Sequence, residues 1–573
     1  MCGIAGIFSN NKVLVRRISS MVESMKHRGP DEKGLWKSEY FSFGMSRLSI
    51  LDVKNGSQPM WFKKIGLIFN GEIYNHKELR SKLINLGYKF NTQCDTEVFL
   101  KLYYHFKEKA FSYVNGMFSV CILDLNKNYF LLARDRMGEK PLYYYNKDNT
   151  FIFASEIKSI IVSLGKKLNL NLESIDSFLA CRFVLGNETI WSDIKKVSPA
   201  TLLKFCLKTN EITIKKYWQL NVLSKKDSSS TQSKFNKLLK NSVTLRQESS
   251  DFPVGILLSG GVDSSAILAS MKKEKKKVQT YCVGFEGFDQ NENKYSRILS
   301  KKFKTRHKDL FITKKDFLEA IDKQVYFTDE PLADLTSIPL FYLFKEIKKD
   351  IKVILSGEGA DELLGGYNFN EIYVKILKQE KSFFLFLKRF LLLDFLKIKI
   401  FDKKLKYISQ IITKFFFSRH VNFISYVMDD KSRKKLWKKS YNFKNNFEKK
   451  LKNIFKTSKS HSTLDCILET YCKTWLVDDL LMRSDKTSMS SSVELRTPFL
   501  DYELVEFMSS LSNKSRFGEN NKFTKKILRN YCKGLIPESI LNRKKQGFSI
   551  PIYSWLEDKD FNKKLFKSLK RGN

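Results

Sequence analysis

The sequence predicts two successive domains of mixed α and β structure: a layered α+β domain, then a parallel-sheet α/β domain with added helices. Three observations lead there. Residues 1–200 alternate short strand patterns and turns with a few helices. From residue 253 onward, strands with glycine-containing exits run ahead of helices. The chain has 573 residues, 42 % hydrophobic and 14 % aromatic, enough for more than one large core and too apolar for wholesale disorder.

The elements follow in order. GLIFNGEIYN (66–75), GMFSVCILDL (116–125), YFLLARDR (129–136) and FIFASE (151–156) have alternating or continuous apolar patterns bounded by Gly, Asn or Asp, and read as strands. HKELRSKLINLG (76–87) and TEVFLKLYYHFKE (96–108) read as helices between them. The polar run LSKKDSSSTQS (223–233) closes a linker. The expected division is a first domain over 1–210, a linker over 211–235 and a second domain over 236–573 with a helical insertion at about 370–460. PVGILLSGGVDSSAILASMKK (253–273) is a buried strand, a Gly-rich turn and a helix, and VQTYCVGF (278–285) and IKVILSGEGADELLGGY (351–367) add two strands. Ligands of such a sheet bind at the strand carboxyl ends. Residues 368–573 read as mostly helical, without a tandem repeat.

Lys+Arg number 102 against 61 Asp+Glu, a net charge of +41. Lys outnumbers Arg about fourfold and is spread over the whole chain beside abundant Asn, Ile and Phe, whereas planar recognition of phosphates and bases favours Arg. Codon bias accounts for that mixture, and no nucleic-acid partner is expected. The nine Cys include no C-x-x-C pair, which points to reduced thiols and neither a zinc site nor a disulfide framework. The N-terminus has no basic region ahead of its apolar residues, so no secretory leader is expected. FFLFLKRFLLLDFL (383–396) is interrupted by Lys388, Arg389 and Asp394 and is too short and too charged to cross a bilayer. The expected location is cytoplasmic. The Lys-, Phe- and Leu-rich stretch 370–460 reads as a helical layer with Lys on its wet face rather than a membrane-docking surface.

Cys2 is the first candidate for chemistry. Removal of the initiator Met would leave it with a free α-amine, whose ordinary pKa near 7.7–8.0 lets one residue carry both nucleophile and base. HRGPD (27–31), RLSILD (47–52), NGEIYN (70–75), CDTE (94–97), GMF (116–118) and RDRMGEKPLY (134–143) accompany it. Together these blocks resemble the class II glutamine amidotransferase family, whose fold is the αββα sandwich of N-terminal-nucleophile hydrolases. The resemblance implies that Cys2 attacks the glutamine side-chain amide, with Asn70 and the backbone N–H of Gly71 stabilising the oxyanion. It implies glutamine binding by Arg47, Leu48, Ser49, Ile50, Leu51, Asn70, Gly71, Glu72 and Asp95. Arg47 would hold the carboxylate, and Asp95 and the Glu72 region the ammonium. His27 and Arg28 would shape the loop over the site.

The second candidate is SGGVDSS (259–265), a Gly-rich turn at a helix N-terminus and therefore a ready anion site. The chain has no G-x-x-x-x-G-K-[ST], which disfavours γ-phosphoryl transfer. The loop resembles the pyrophosphate loop of ATP pyrophosphatases. With SGEGADELLGGY (356–367), DKTSM (485–489), ELRTPFLD (494–501) and RKKQGFSIP (543–551), it is similar to the synthetase domain of the glutamine-dependent asparagine synthetase family. That likeness implies ATP as co-substrate, bound by Leu257, Ser259, Gly260, Gly261, Asp263, Ser264, Ser265, Val283, Ser356 and Gly357. It implies Mg²⁺ on Asp263 and Asp361, a Lys486 that neutralises charge at the α-phosphate, and a Glu358 that takes the proton of attacking ammonia. The partners implied are small molecules, and a homodimer is compatible with the resemblance.

Three positions depart from the family's common forms. DEPLADLTSIP (329–339) lacks an Arg found there in some members, Asn291 stands where Asp is common with Glu292 kept, and Glu139 replaces an apolar residue, read as structural. The expected reaction is asparagine synthesis from aspartate, glutamine and ATP. The alternative is the same chemistry on another carboxylate, such as a uronic acid of a surface glycan. A basic binding module without catalysis is the third reading, and intact Cys2, Asp263 and Glu358 count against it.

Overall fold

A computed structural model describes residues 2–271, 277–367, 369–390, 408, 412, 427–438, 446–460, 462–518, 524–543, 547 and 549–570. The N-terminal half is built on two six-stranded sheets. The first runs, in spatial order, Ile194–Lys196, Tyr143–Lys147, Thr150–Ala154, Gly3–Ser9, Phe41–Arg47 and Glu32–Lys37. The second runs Ile212–Lys216, Thr201–Cys206, Tyr129–Arg134, Gly116–Asp124, Ile65–Ile73 and Met60–Phe62. Their strand pairs are antiparallel.

Side-chain parity builds the layers. On Gly3–Ser9, Ile4 and Phe8 point into the core between the sheets, whereas Ala5 and Ile7 face the helices Ile18–Glu23 and Ile157–Leu164. On Ile65–Ile73, Ile68 faces the first sheet, and Leu67 and Phe69 face His76–Asn85 and Asp95–Phe106. Phe41 and Phe130 stack across the inter-sheet core, centroids 5.1 Å apart. Burial on both faces is why these strands read as nearly continuous apolar runs. The result is the expected αββα sandwich.

Five parallel strands form the second half, in the order Arg306–Ile312, Gln279–Phe285, Val254–Leu257, Val353–Leu355 and Glu494–Arg496. Helices cover both faces. Glu494–Arg496 lies in a region read as helical. A three-residue strand carries no period, and only its pairing to Val353–Leu355 reveals it. The chain reverses direction of sheet growth between Val254–Leu257 and Val353–Leu355, and the loops after these two strands, 258–261 and 356–359, open the site.

The connection between the halves is shorter than expected. Ile212–Lys216 is an edge strand of the second sheet, and the helix Thr231–Glu248 packs on the parallel-sheet core. Only 217–230 bridges them, because a solvent-facing edge strand has the polar composition of a linker. The expected insertion at 370–460 lies partly outside the described residues, as do Lys544, Lys545, Gln546 and Phe548 of the last motif.

Candidate active sites

Strand pairing brings Cys2 to the end of the sandwich, against Asn70. The Cys2 backbone N–H donates to Asn70 Oδ1 at 2.9 Å, and Asn70 Nδ2 donates to Ser119 Oγ at 3.2 Å. An amide nitrogen has two protons, so one donor of Asn70 stays available to a negative oxygen beside Cys2. Gly71 is set by close approach: a Cβ there would lie 2.1 Å from the Met117 carbonyl oxygen. Burial pushes the Cys2 thiol above its ordinary range, and the Leu48 backbone and the Arg47 cation pull against it.

The groups expected to hold glutamine's charged ends surround this point unequally. Burial pushes the Glu72 carboxyl well up, and the neighbouring Asp95 charge adds to it. Glu72 Oε2 accepts from Arg496 at 3.2 Å, while Oε1 is buried without a hydrogen-bond partner among the described residues. Asp95 Oδ2 accepts the Ile73 N–H at 2.8 Å, and burial raises its carboxyl too. An ammonium placed here would relieve both. Arg47 is less free: its guanidinium donates to Glu32 at 2.9 Å and to the carbonyls of Val53 and Asp52 at 3.1 and 2.9 Å. Leu48 and Ile50 pack into the core of the second half, Ser49 N–H donates to Asp31, and Arg47 Nη2 lies 3.4 Å from the Leu51 carbonyl oxygen.

Between the two halves lies a buried polar network. Arg28, fully buried, donates to the Cys2 carbonyl at 3.1 Å, to Glu156 at 3.0 Å and to both oxygens of Asp485 at 2.8 and 3.1 Å. Glu156 also meets His27, Lys158 and Lys486. Despite burial, the neighbouring His27, Lys158 and Lys486 hold its carboxyl well below the usual range. Glu139 belongs to the same interface: it is buried and accepts from Thr497. Burial, then the charge of Asp135, pushes it up to about 7.

The second site is a cavity of about 480 Å³ at the strand carboxyl ends. Leu257, Ser259, Gly261, Asp263, Ser264, Val283, Ser356, Gly357, Glu358 and Asp361 line it. Gly260 and Ser265 stand behind the lining. Gly260, at φ +74°, has no room for a Cβ, which would lie 2.4 Å from Tyr295 Cβ. Glu358 Oε1 accepts from Arg483 at 3.1 Å and Ser484 at 2.5 Å, and Oε2 is buried without a hydrogen-bond partner among the described residues. Lys486 is also off the lining, its ammonium donating to Asp329 at 3.0 Å. Asn291 clamps a turn, accepting from the Phe285 N–H at 2.8 Å and donating to the Phe285 carbonyl at 2.6 Å, a task for an amide and not for an acid.

Asp263 and Asp361 fit a divalent cation. Lys525 Nζ bridges them at 2.6 Å to each, so both carboxylates converge on one cation position. Two carboxylates lining the cavity with the 258–261 turn are a donor set that Mg²⁺ accepts, with further oxygen ligands completing it. The sequence reading missed Lys525, one Lys among many. It also missed Glu156, Asp329 and Arg483; Arg483 lies two residues ahead of DKTSM and was legible by proximity alone.

Fold and sites define a two-centre amidotransferase: an N-terminal Cys centre joined through a buried ionic interface to a nucleotide-type cavity. The asparagine synthase family model matches residues 234–572, and a glutamine amidotransferase domain matches residues 1–218. The chain is 34 % identical to asparagine synthetase [glutamine-hydrolyzing] 1 of Bacillus subtilis (strain 168), over 97 % of this chain and 88 % of that protein. It is 30 % identical to asparagine synthetase [glutamine-hydrolyzing] 3 of the same organism, over 96 % and 87 %. Among solved structures, the allosteric regulatory enzyme of purine biosynthesis aligns at 17 % identity and a TM-score of 0.31, covering 45 % of this chain and 60 % of that one. The chain belongs to the asparagine synthase family.

Proposed function

We propose that the protein makes asparagine: glutamine and water give glutamate and ammonia at Cys2, and ATP and aspartate give β-aspartyl-AMP and pyrophosphate in the cavity. Ammonia then displaces AMP. The observation that carries this reading is Arg28, one guanidinium that holds the Cys2 carbonyl and the Asp485 carboxylate beside Lys486. Ammonia released in water would become ammonium and lose its lone pair, so a junction buried from solvent between the centres serves the reaction.

Loss of Met1 turns the Cys2 nitrogen into an amine that Asn70 orients. Thiolate attack places the oxyanion against the remaining Asn70 donor and the Gly71 N–H. Glu72 and Asp95 bind the glutamine ammonium, and Arg47 its carboxylate. In the cavity the 258–261 turn cradles pyrophosphate. Asp263 and Asp361 would hold Mg²⁺, which neutralises phosphate charge when bound. Glu358, through its unpartnered Oε2, accepts the proton of attacking ammonia. Lys486 neutralises charge at the α-phosphate on exchanging Asp329 for it. A cytoplasmic location and a homodimer complete the proposal; among the described residues no helix is long and apolar enough to cross a membrane.

The test uses purified protein with Mg-ATP and glutamine, with and without aspartate. Asparagine, AMP and pyrophosphate in equal amounts are expected. Glutamine hydrolysis without aspartate-dependent pyrophosphate would reject aspartate as acceptor. Cys2→Ala is expected to lose glutamine-driven synthesis and keep synthesis from added ammonium; loss of both would reject the two-centre mechanism.

A further inference from the structure

The wall of the cavity beside Glu358 is not made by the second half alone. The helix Leu172–Cys181 ends at Arg182, whose φ of +75° and ψ of 1° are left-handed and whose N–H returns to the Phe178 carbonyl at 2.7 Å. The Arg182 carbonyl accepts the Ala333 N–H at 3.0 Å, in the 329–339 segment, which itself carries no Arg. The following loop is fastened to the same wall. Gly186 N–H donates to Asp478 at 2.7 Å, and Lys196 reaches Glu330 and Asp478 at 3.4 and 3.7 Å. Asp478 lies in a π-helical turn, Leu476–Leu481, a rare geometry that recurs at functional sites.

The Arg182 side chain enters the cavity beside Asp334, Thr336 and Glu358. Its Nε is buried, and among the described residues its guanidinium has no hydrogen-bond or ion-pair partner. The other cations of the lining are spent. Arg483 donates to Asp334, Thr336 and Glu358, Lys525 bridges Asp263 and Asp361, Arg529 donates to the carbonyls of Thr524, Leu541 and Arg543, and Arg543 meets Glu292. The Asp334 and Asp479 carboxylates feel its charge but make no hydrogen bond or ion pair with it, so its donors stay available to an anion that enters the cavity. Glycine is the residue of least backbone cost at this φ. What arginine adds there is the cation.

We infer that Arg182 binds the α-carboxylate of the acceptor aspartate, so that the acceptor pocket is built jointly by both halves of the chain. This rests on the reading of aspartate as acceptor. Glu358 marks where ammonia meets the β-carboxyl carbon, and the α-carboxylate lies three bonds from that carbon, on the side of the 329–337 segment. The phosphates belong to the 258–261 turn. The cation absent from 329–339 is thus supplied from the amidotransferase half, and acceptor binding requires the 182–196 loop to be docked.

The test compares the full-length enzyme with Arg182→Gly, which suits the left-handed backbone and removes the cation, and with Arg182→Lys. For Arg182→Gly, the KM for aspartate is expected to rise about 10- to 150-fold, the loss of a charge-assisted hydrogen bond. The KM for ATP and glutamine hydrolysis should stay within about twofold by the same reasoning, and Arg182→Lys should recover part of the loss. β-Alanine is aspartate without its α-carboxylate, and its inhibition constant against aspartate should be the same in all three proteins. An unchanged KM for aspartate in Arg182→Gly overturns the assignment, as does an equal loss of affinity for β-alanine. Failure of the unmodified enzyme to make asparagine from aspartate removes the acceptor reading and this assignment with it; the other two outcomes overturn the assignment alone.

Discussion

Replacing Arg28 with methionine removes the cation that joins the two centres. The guanidinium makes one hydrogen bond to the Cys2 carbonyl, one to Glu156 and two to Asp485, all with no exposure to solvent. Breaking a buried ion pair from one side costs about 3–5 kcal/mol, because the remaining charge is stranded. Here the carboxylates keep other partners: Asp485 has Lys140 at 3.7 Å, and Glu156 has His27, Lys158 and Lys486. The cost therefore falls at the lower end, about 3 kcal/mol, or about 150-fold in a local opening equilibrium. Backbone hydrogen exchange of Gly3–Ser9 and Met482–Met489, measured where exchange follows the opening equilibrium, should accelerate by about that factor. Glutamate released per asparagine formed should rise above one as the centres uncouple. Arg28→Lys keeps the charge but cannot fork across Asp485, and should fall between. Exchange within about threefold of the unmodified protein, with an unchanged product ratio, would refute the assignment of Arg28 as the structural link.

Two further predictions follow from the same geometry. Asn70→Ala should lower kcat for glutamine hydrolysis by about 10²–10³-fold and spare ammonium-driven synthesis; a loss under tenfold would place the oxyanion donor elsewhere. Glu139 gives a pH dependence: burial raises its carboxyl from 4.5 to about 7 in the folded protein. Between those values the native state keeps a proton that the unfolded chain has lost, so this group's contribution to stability falls as pH rises from about 4.5 through about 7. Glu139→Gln mimics the neutral form, and its thermal midpoint should fall less between pH 5 and 8 than that of the unmodified protein; parallel curves would refute the shift.

The sequence by itself determined the elements and both chemistries. The apolar strand runs of residues 1–154 and the Gly-rich turn 258–261 are local in origin: side-chain parity selects a face, and the positive φ of +74° at Gly260 favours glycine. Asn70, Asp263 and Glu358 were legible as candidates because they lie inside contiguous motifs, and Cys2 because such motifs accompany it. Glu494–Arg496 was not, since three residues have no period and become a strand only by pairing with Val353–Leu355. The partnerships were illegible too. Arg28 and Asp485 are 457 positions apart, and Arg182 lies far along the chain from the cavity it enters. Sequence pattern reports spacing along the chain, whereas a buried charge is settled by whatever the fold places within about 3 Å of it. That is why tertiary structure alone assigned Glu139 to the interface, bound Lys486 to Asp329 and left the Arg182 guanidinium open to an anion.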